Sequence, residues 1–120
     1  MPEVKHDLLT NKYTRVFHED EITNNAPHHF KVYESARTMT PKLLGEVNFQ
    51  EGPIKEAGVN GIMGEDLIAM IICRLDHFQE TDFACYENDM AIVKLEEALL
   101  WLRKRTMGRE QRGVEGTHIK

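Results

Sequence analysis

The chain has 120 residues, 41% hydrophobic and 29% charged, with a formal net charge of −5 and two cysteines. That length suits one modest domain, and the composition excludes wholesale disorder. The acidic balance argues against a protein that coats nucleic acid; the longest apolar run, Leu67 to Cys73, stops at Arg74 and is too short to span a membrane; and the first residues lack the basic-then-apolar pattern of a secretory signal.

Residues 1–27 are polar, with a short apolar alternation from Tyr13 to Phe17, and Asn24-Asn25-Ala26-Pro27 reads as a turn or loop. His29 to Ser35 alternates Phe30 and Val32 with Lys31 and Tyr33, a strand pattern. Residues 36–42, with Pro41, form a turn, and Leu43 to Gln50 is a second strand placing Leu43, Val47 and Phe49 on one face. The expectation is a small antiparallel sheet with one buried face. A glycine-punctuated connector follows, including Asn60-Gly61, a turn signal. The period then changes: Leu67, Ile68, Ile71, Ile72, Leu75 and Phe78 recur at three and four, an amphipathic helix with Glu65 and Asp66 in its first turn, where the dipole favours acids. Residues 79–86 form a short loop. A longer helix starts near Glu87 with the stripe Ala91, Ile92, Leu95, Ala98, Leu99 and Leu102, and Gly113 caps its end. Two amphipathic helices with a short connector predict a hairpin. The fold class is α+β in a single domain over 1–120: a small β portion (1–50), a glycine-rich connector (51–64), a two-helix antiparallel hairpin (65–113) and a tail (114–120). Cys73 and Cys85 lie in or beside apolar segments and read as reduced thiols in a cytoplasmic setting, with a disulfide between them left open.

The charge is unevenly spread. Residues 101–120 carry a net +4, leaving −9 for the first hundred residues. Continuing the apolar spacing of the last helix gives Arg105, Thr106, Arg109 and Arg112, so three guanidiniums follow the core stripe. Guanidinium forks match phosphate oxygens bidentately. Basic residues at a helix C-terminus also simply offset the dipole there. Phe78 ends the first helix and Asn88 begins the second, and together they suit stacking and edge recognition of a nucleobase; equally, Phe78 fits a core and Asn88 a first turn. In one hairpin Phe78 and Asn88 lie at the tip and the arginines at the far end, so one site needs two chains packed antiparallel. His28-His29 is not a metal signature by itself, and no metal site is expected. No nucleophile–base arrangement or phosphate-loop fingerprint is present, which argues against an enzyme.

The segments Phe49-Gln50-Glu51-Gly52-Pro53-Ile54, Gly58-Val59-Asn60-Gly61, Phe83-Ala84-Cys85-Tyr86-Glu87-Asn88, Trp101 to Thr106 and Arg112-Gly113-Val114-Glu115-Gly116-Thr117-His118 resemble the phage Thoeris anti-defence sponge family, which shares its helical-hairpin domain with the anti-CBASS cyclic-nucleotide sponges. The resemblance covers about residues 43–118. Glu51 stands where that pattern has a more neutral residue. The resemblance implies reversible sequestration, without hydrolysis, of signalling nucleotides made by bacterial immune enzymes. The ligands are glycocyclic ADP-ribose isomers and, in some members, cyclic oligonucleotides at separate sites. It implies dimers or hexamers in the cytoplasm of the infected host, with no cofactor, membrane or nucleic-acid partner. Carried over residue by residue, it makes Phe78 the base-stacking ring with Phe83 as a competitor, Asn88 the reader of the ligand, and Arg105 and Arg109 the pyrophosphate clamp. Thr106 and Arg112 join the ligand-binding set, and the tail Val114 to His118 closes over the ligand. Two other readings remain: a hairpin interaction protein whose basic patch meets an acidic partner, and an enzyme that degrades the signal.

Overall fold

The structure is a computed structural model describing residues 1–36 and 38–120. Its elements are β1 (Thr14–His18), β2 (His29–Glu34), β3 (Leu43–Asn48), α1 (Ile54–Ala57), α2 (Gly64–Phe78) and α3 (Tyr86–Gln111). They fall into two compact units, Met1–Gly52 with Val59–Gly61, and Pro53–Gly58 with Ile62–Lys120. The fold class is α+β, as the change of hydrophobic period requires.

In the first unit the sheet has the antiparallel order β1-β2-β3. The alternation around Tyr13 to Phe17 is therefore a third strand, pairing Val16 with Val32 and His18 with Phe30. Phe30 meets Phe49 edge-on with centroids 5.6 Å apart, and Phe17 meets Tyr33 at 5.8 Å. The expectation that Leu43, Val47 and Phe49 share a face is corrected. Val32 pairs with Gly45 but Tyr33 pairs with Leu43, so Leu44 is an extra residue in β3. One extra residue inverts the pleat, placing Leu43 on the Tyr33 face while Val47 stays on the Phe30 face. No strand residue is fully buried, so the expected buried face is not present either. The expected turn over 36–42 includes Arg37, which lies outside the described residues. Asn24 and Asn25 both take positive φ in the loop before β2, a conformation asparagine tolerates.

Side-chain hydrogen bonds tie this unit together. One Glu19 oxygen accepts the backbone N–H groups of His28 and His29, each at 3.0 Å, and the His28 ring reaches the Thr23 carbonyl at 2.8 Å. Glu51 accepts from the Thr23 hydroxyl at 2.6 Å and contacts the His29 ring at 3.0 Å. Glu51 is thus a clasp between the β2 start and the connector.

In the second unit the connector holds α1, a one-turn helix that a four-residue span cannot reveal by periodicity. Pro53 starts it, with Ala57 N–H bonding the Pro53 carbonyl at 2.7 Å. The Met63 N–H donates to the Asp66 carboxylate at 2.9 Å and fixes the start of α2. The hairpin forms as expected. Ile68, Ile72 and Leu75 of α2 and Ala91, Leu95, Leu99 and Leu102 of α3 are half-buried, and Ile92, 8% exposed, is the buried apolar side chain among the described residues. Ile71 turns outward instead. At the α3 exit, Gly113 N–H bonds the Glu110 carbonyl at 3.0 Å and Val114 N–H the Arg109 carbonyl at 3.1 Å. That pair of bonds is a Schellman motif, and Gly113 at φ 73° supplies the left-handed residue it needs. Both cysteines are free thiols. Among the described residues no helix is long and apolar enough to cross a membrane, and no group of His, Cys, Asp or Glu is arranged to hold a metal ion.

Candidate functional site

The last two turns of α3 form a recess of about 490 Å³ lined by Lys104, Arg105, Gly108, Arg109 and Arg112. Its walls come from the i, i+4 and i+3 spacing of the arginines, and its floor from Gly108, where a Cβ would meet nothing within 4 Å. The four cations differ in how they are held. Arg109 donates from one nitrogen to the carbonyls of Val114 at 3.0 Å and Thr117 at 2.9 Å, and so folds the tail back against the helix. Arg112 donates to the main-chain oxygen of Lys120 at 2.7 Å. Lys104 lies over the Trp101 ring at 5.1 Å. Arg105 is exposed and has no partner among the described residues. Neighbouring Arg103 is turned away to Glu110 at 3.0 Å. Thr106 is outside the recess lining and donates its hydroxyl to Leu102 one turn back.

The tail is fastened a second time, by α1. Lys55 N–H bonds the Gly116 carbonyl at 2.8 Å, and the Glu56 carboxylate accepts the His118 N–H at 2.8 Å and contacts its ring at 2.9 Å. Those two His118 contacts hold the Glu56 carboxyl below its ordinary range. The tail therefore lies beside the recess, joined to it through Arg109.

The other expected site residues sit at the opposite end of the hairpin. Asn88 in the first turn of α3 is seventeen residues from Arg105, about 25 Å along the axis at 1.5 Å per residue. Phe78 ends α2 with the Arg74 guanidinium 5.0 Å from its ring centroid, and Phe83 in the loop is 78% exposed. Phe78 and Asn88 are linked through Gln79, whose Oε1 accepts from Asn88 Nδ2 at 3.1 Å. Within one chain the structure brings together Arg105, Arg109 and Arg112, and separately Phe78, Phe83 and Asn88. Sequence reasoning missed Gln79, Gly108 and Lys104. The Arg-Lys-Arg run was a signal for Lys104, whereas a glutamine after a helix and a glycine inside one carry none of their own.

A further feature runs between the two ends. Tyr86, Val93, Leu100 and Met107 are 43% to 72% exposed and recur every seven residues, an apolar seam that drifts about 20° per repeat along the face of α3 turned away from its own core stripe.

A family model described as Acb2/Tad1, hairpin domain, matches residues 44–107, the span from β3 to most of α3. A curated relative, "Thoeris anti-defense 1" of Bacillus phage SBSphiJ7, is 50% identical over an alignment 142 positions long that covers 100% of both chains. The chain belongs to the Thoeris anti-defence family built on the Acb2/Tad1 hairpin domain.

Proposed function

We propose that this protein is a sponge: inside the infected bacterial cell it binds a cyclic ADP-ribose-type immune signal and withholds it, without cleaving it, from the anti-phage defence that uses it. The observation that carries this reading is the cationic recess on an otherwise acidic chain. Guanidiniums converging on one small volume suit a compact polyanion such as a pyrophosphate. They also stay protonated in proteins, so they supply charge and geometry but no base.

The ligand is held between two copies. Val93 and Leu100, and likewise Tyr86 and Met107, are placed symmetrically about the midpoint between Glu96 and Glu97. An antiparallel pairing of two α3 helices about that midpoint buries the seam against itself, Val93 on Leu100 and Tyr86 on Met107. That seam contact leaves Asn88 and the arginines on the opposite side of α3, so a second antiparallel contact, between the hairpin faces that carry these residues, sets Asn88 of one copy level with Arg105 of another. A base held by Phe78 and Asn88 and a pyrophosphate held by Arg105 and Arg109 then belong to one site. Closing it excludes water and strengthens each charged contact.

The test is recovery of the ligand. Protein loaded with glycocyclic ADP-ribose and freed of excess is denatured by heat, and the released nucleotide is read by mass spectrometry. Intact ligand in stoichiometric amount is the expected result. A cleaved product means a signal-degrading enzyme, and absence of any bound nucleotide, also with cyclic di- and trinucleotides, means an interaction protein.

A further inference from the structure

We propose that Gln79 is a positioning and specificity-determining residue. It pins the Asn88 side-chain amide in one orientation, so that the site reads a purine offering a donor beside an acceptor and rejects one with an acceptor in the donor's place. The inference rests on the reading that Asn88 meets the base of the ligand.

Gln79 is half-buried between the two helices, and its own orientation is set by backbone. The Cys85 N–H, which can only donate, meets Gln79 Oε1 at 3.1 Å, and the Cys85 carbonyl, which can only accept, meets Gln79 Nε2 at 2.8 Å. The same Nε2 donates to Asp89 Oδ1 at 2.8 Å. Turning the amide over would set oxygen against two acceptors and nitrogen against a donor, so one arrangement satisfies all three contacts. The oxygen at Oε1 then dictates which end of Asn88 faces it. Asn88 Nδ2, at 3.1 Å, must donate one N–H there. Asn88 Oδ1 and the second N–H remain, in a fixed order.

That order has a chemical consequence. On its Watson–Crick edge adenine offers its 6-amino donor to Oδ1 and its N1 as acceptor to the N–H, a bidentate amide pairing of the kind asparagine makes with adenine. Hypoxanthine carries a carbonyl oxygen in place of the amino group and a donating N1–H in place of the N1 acceptor, so that oxygen would face Oδ1 and the N1–H would face the Asn88 N–H. An unrestrained asparagine flips and reads both bases. Asn88 cannot flip without turning Oδ1 onto Gln79 Oε1, oxygen against oxygen in a half-buried place. Phosphate contacts from the arginines are the same for the two ligands, so the ratio of affinities isolates the base.

Calorimetric binding of glycocyclic ADP-ribose and of its hypoxanthine counterpart tests this on the wild type, Asn88→Ala and Gln79→Met. The wild type is expected to prefer the adenine ligand by about 10- to 100-fold, the discrimination a bidentate contact supplies. Asn88→Ala loses the preference. Gln79→Met, which keeps side-chain length without the amide, still binds both ligands with a ratio near unity. A wild type without preference, or Gln79→Met with the wild-type ratio, overturns the proposal. A preference that survives Asn88→Ala instead overturns the underlying assignment of Asn88. Where Gln79→Met does not fold, the wild-type protein still decides. By NMR one side-chain amide proton of Asn88 is expected to show the small temperature coefficient of a hydrogen-bonded proton and the other not, and equal coefficients overturn the proposal.

Discussion

Arg105 and Arg109 are one helical turn apart with the same charge, yet the chain treats them differently. Arg109 holds two tail carbonyls, whereas Arg105 has no partner among the described residues. Arg105→Ala is therefore the cleaner probe of the site. It is expected to weaken nucleotide binding about 10- to 100-fold, the cost of about 1.5–3 kcal/mol for a charged hydrogen bond, with an unchanged melting temperature. Arg109→Ala is expected to weaken binding and also to destabilise the protein by about 1–3 kcal/mol, since the Val114 and Thr117 carbonyls lose their donor. Equal melting temperatures for the two variants would refute this division of roles. In the sheet unit the Asn48 and Glu51 side chains raise the His29 pKa above its ordinary value of 6.5. A raised histidine stabilises the fold fully below its unfolded pKa, and that contribution is lost as pH rises through the folded value. Stability of the wild type is expected to fall relative to Asn48→Ala as pH climbs past 6.5, and the NMR midpoint of His29 is expected to drop in that variant.

Among the elements, α3 was the most legible in the sequence, because its stripe from Ala91 to Leu102 repeats over many turns and Gly113 marks its end. Sheet and hairpin were visible for the same reason. What was hidden depends on single residues or long separations. The inverted face of Leu43 follows from one bulged residue, α1 is a single turn, and the Glu56–His118 clasp joins positions 62 residues apart. The arginine recess was legible as charge and spacing, but its floor was not. Glycine inside a helix costs about 1 kcal/mol relative to alanine, so Gly108 weakens α3 where it opens the recess. Gly108→Ala is expected to raise stability by up to about 1 kcal/mol and to weaken nucleotide binding. Thermal melts and calorimetry check both directions, and tighter binding would show that the recess does not hold the ligand.

At the scale of the whole molecule, a hairpin with so little fully buried apolar surface and an exposed seam is poorly stabilised alone, and association is the physical remedy. Leu100→Glu places a charge in the seam beside its symmetry point. It is expected to break the seam contact and give a smaller species by light scattering; a variant of unchanged size would put the contact elsewhere. The most direct test of a site shared by two chains is complementation. Asn88→Ala and Arg105→Ala are purified separately, each is shown to bind glycocyclic ADP-ribose weakly, and the two are then mixed and allowed to exchange subunits. Mixed dimers contain one site with both residues present, so the mixture is expected to regain tight binding that neither variant has alone. A mixture as weak as its components, despite proven exchange, would contradict the shared site.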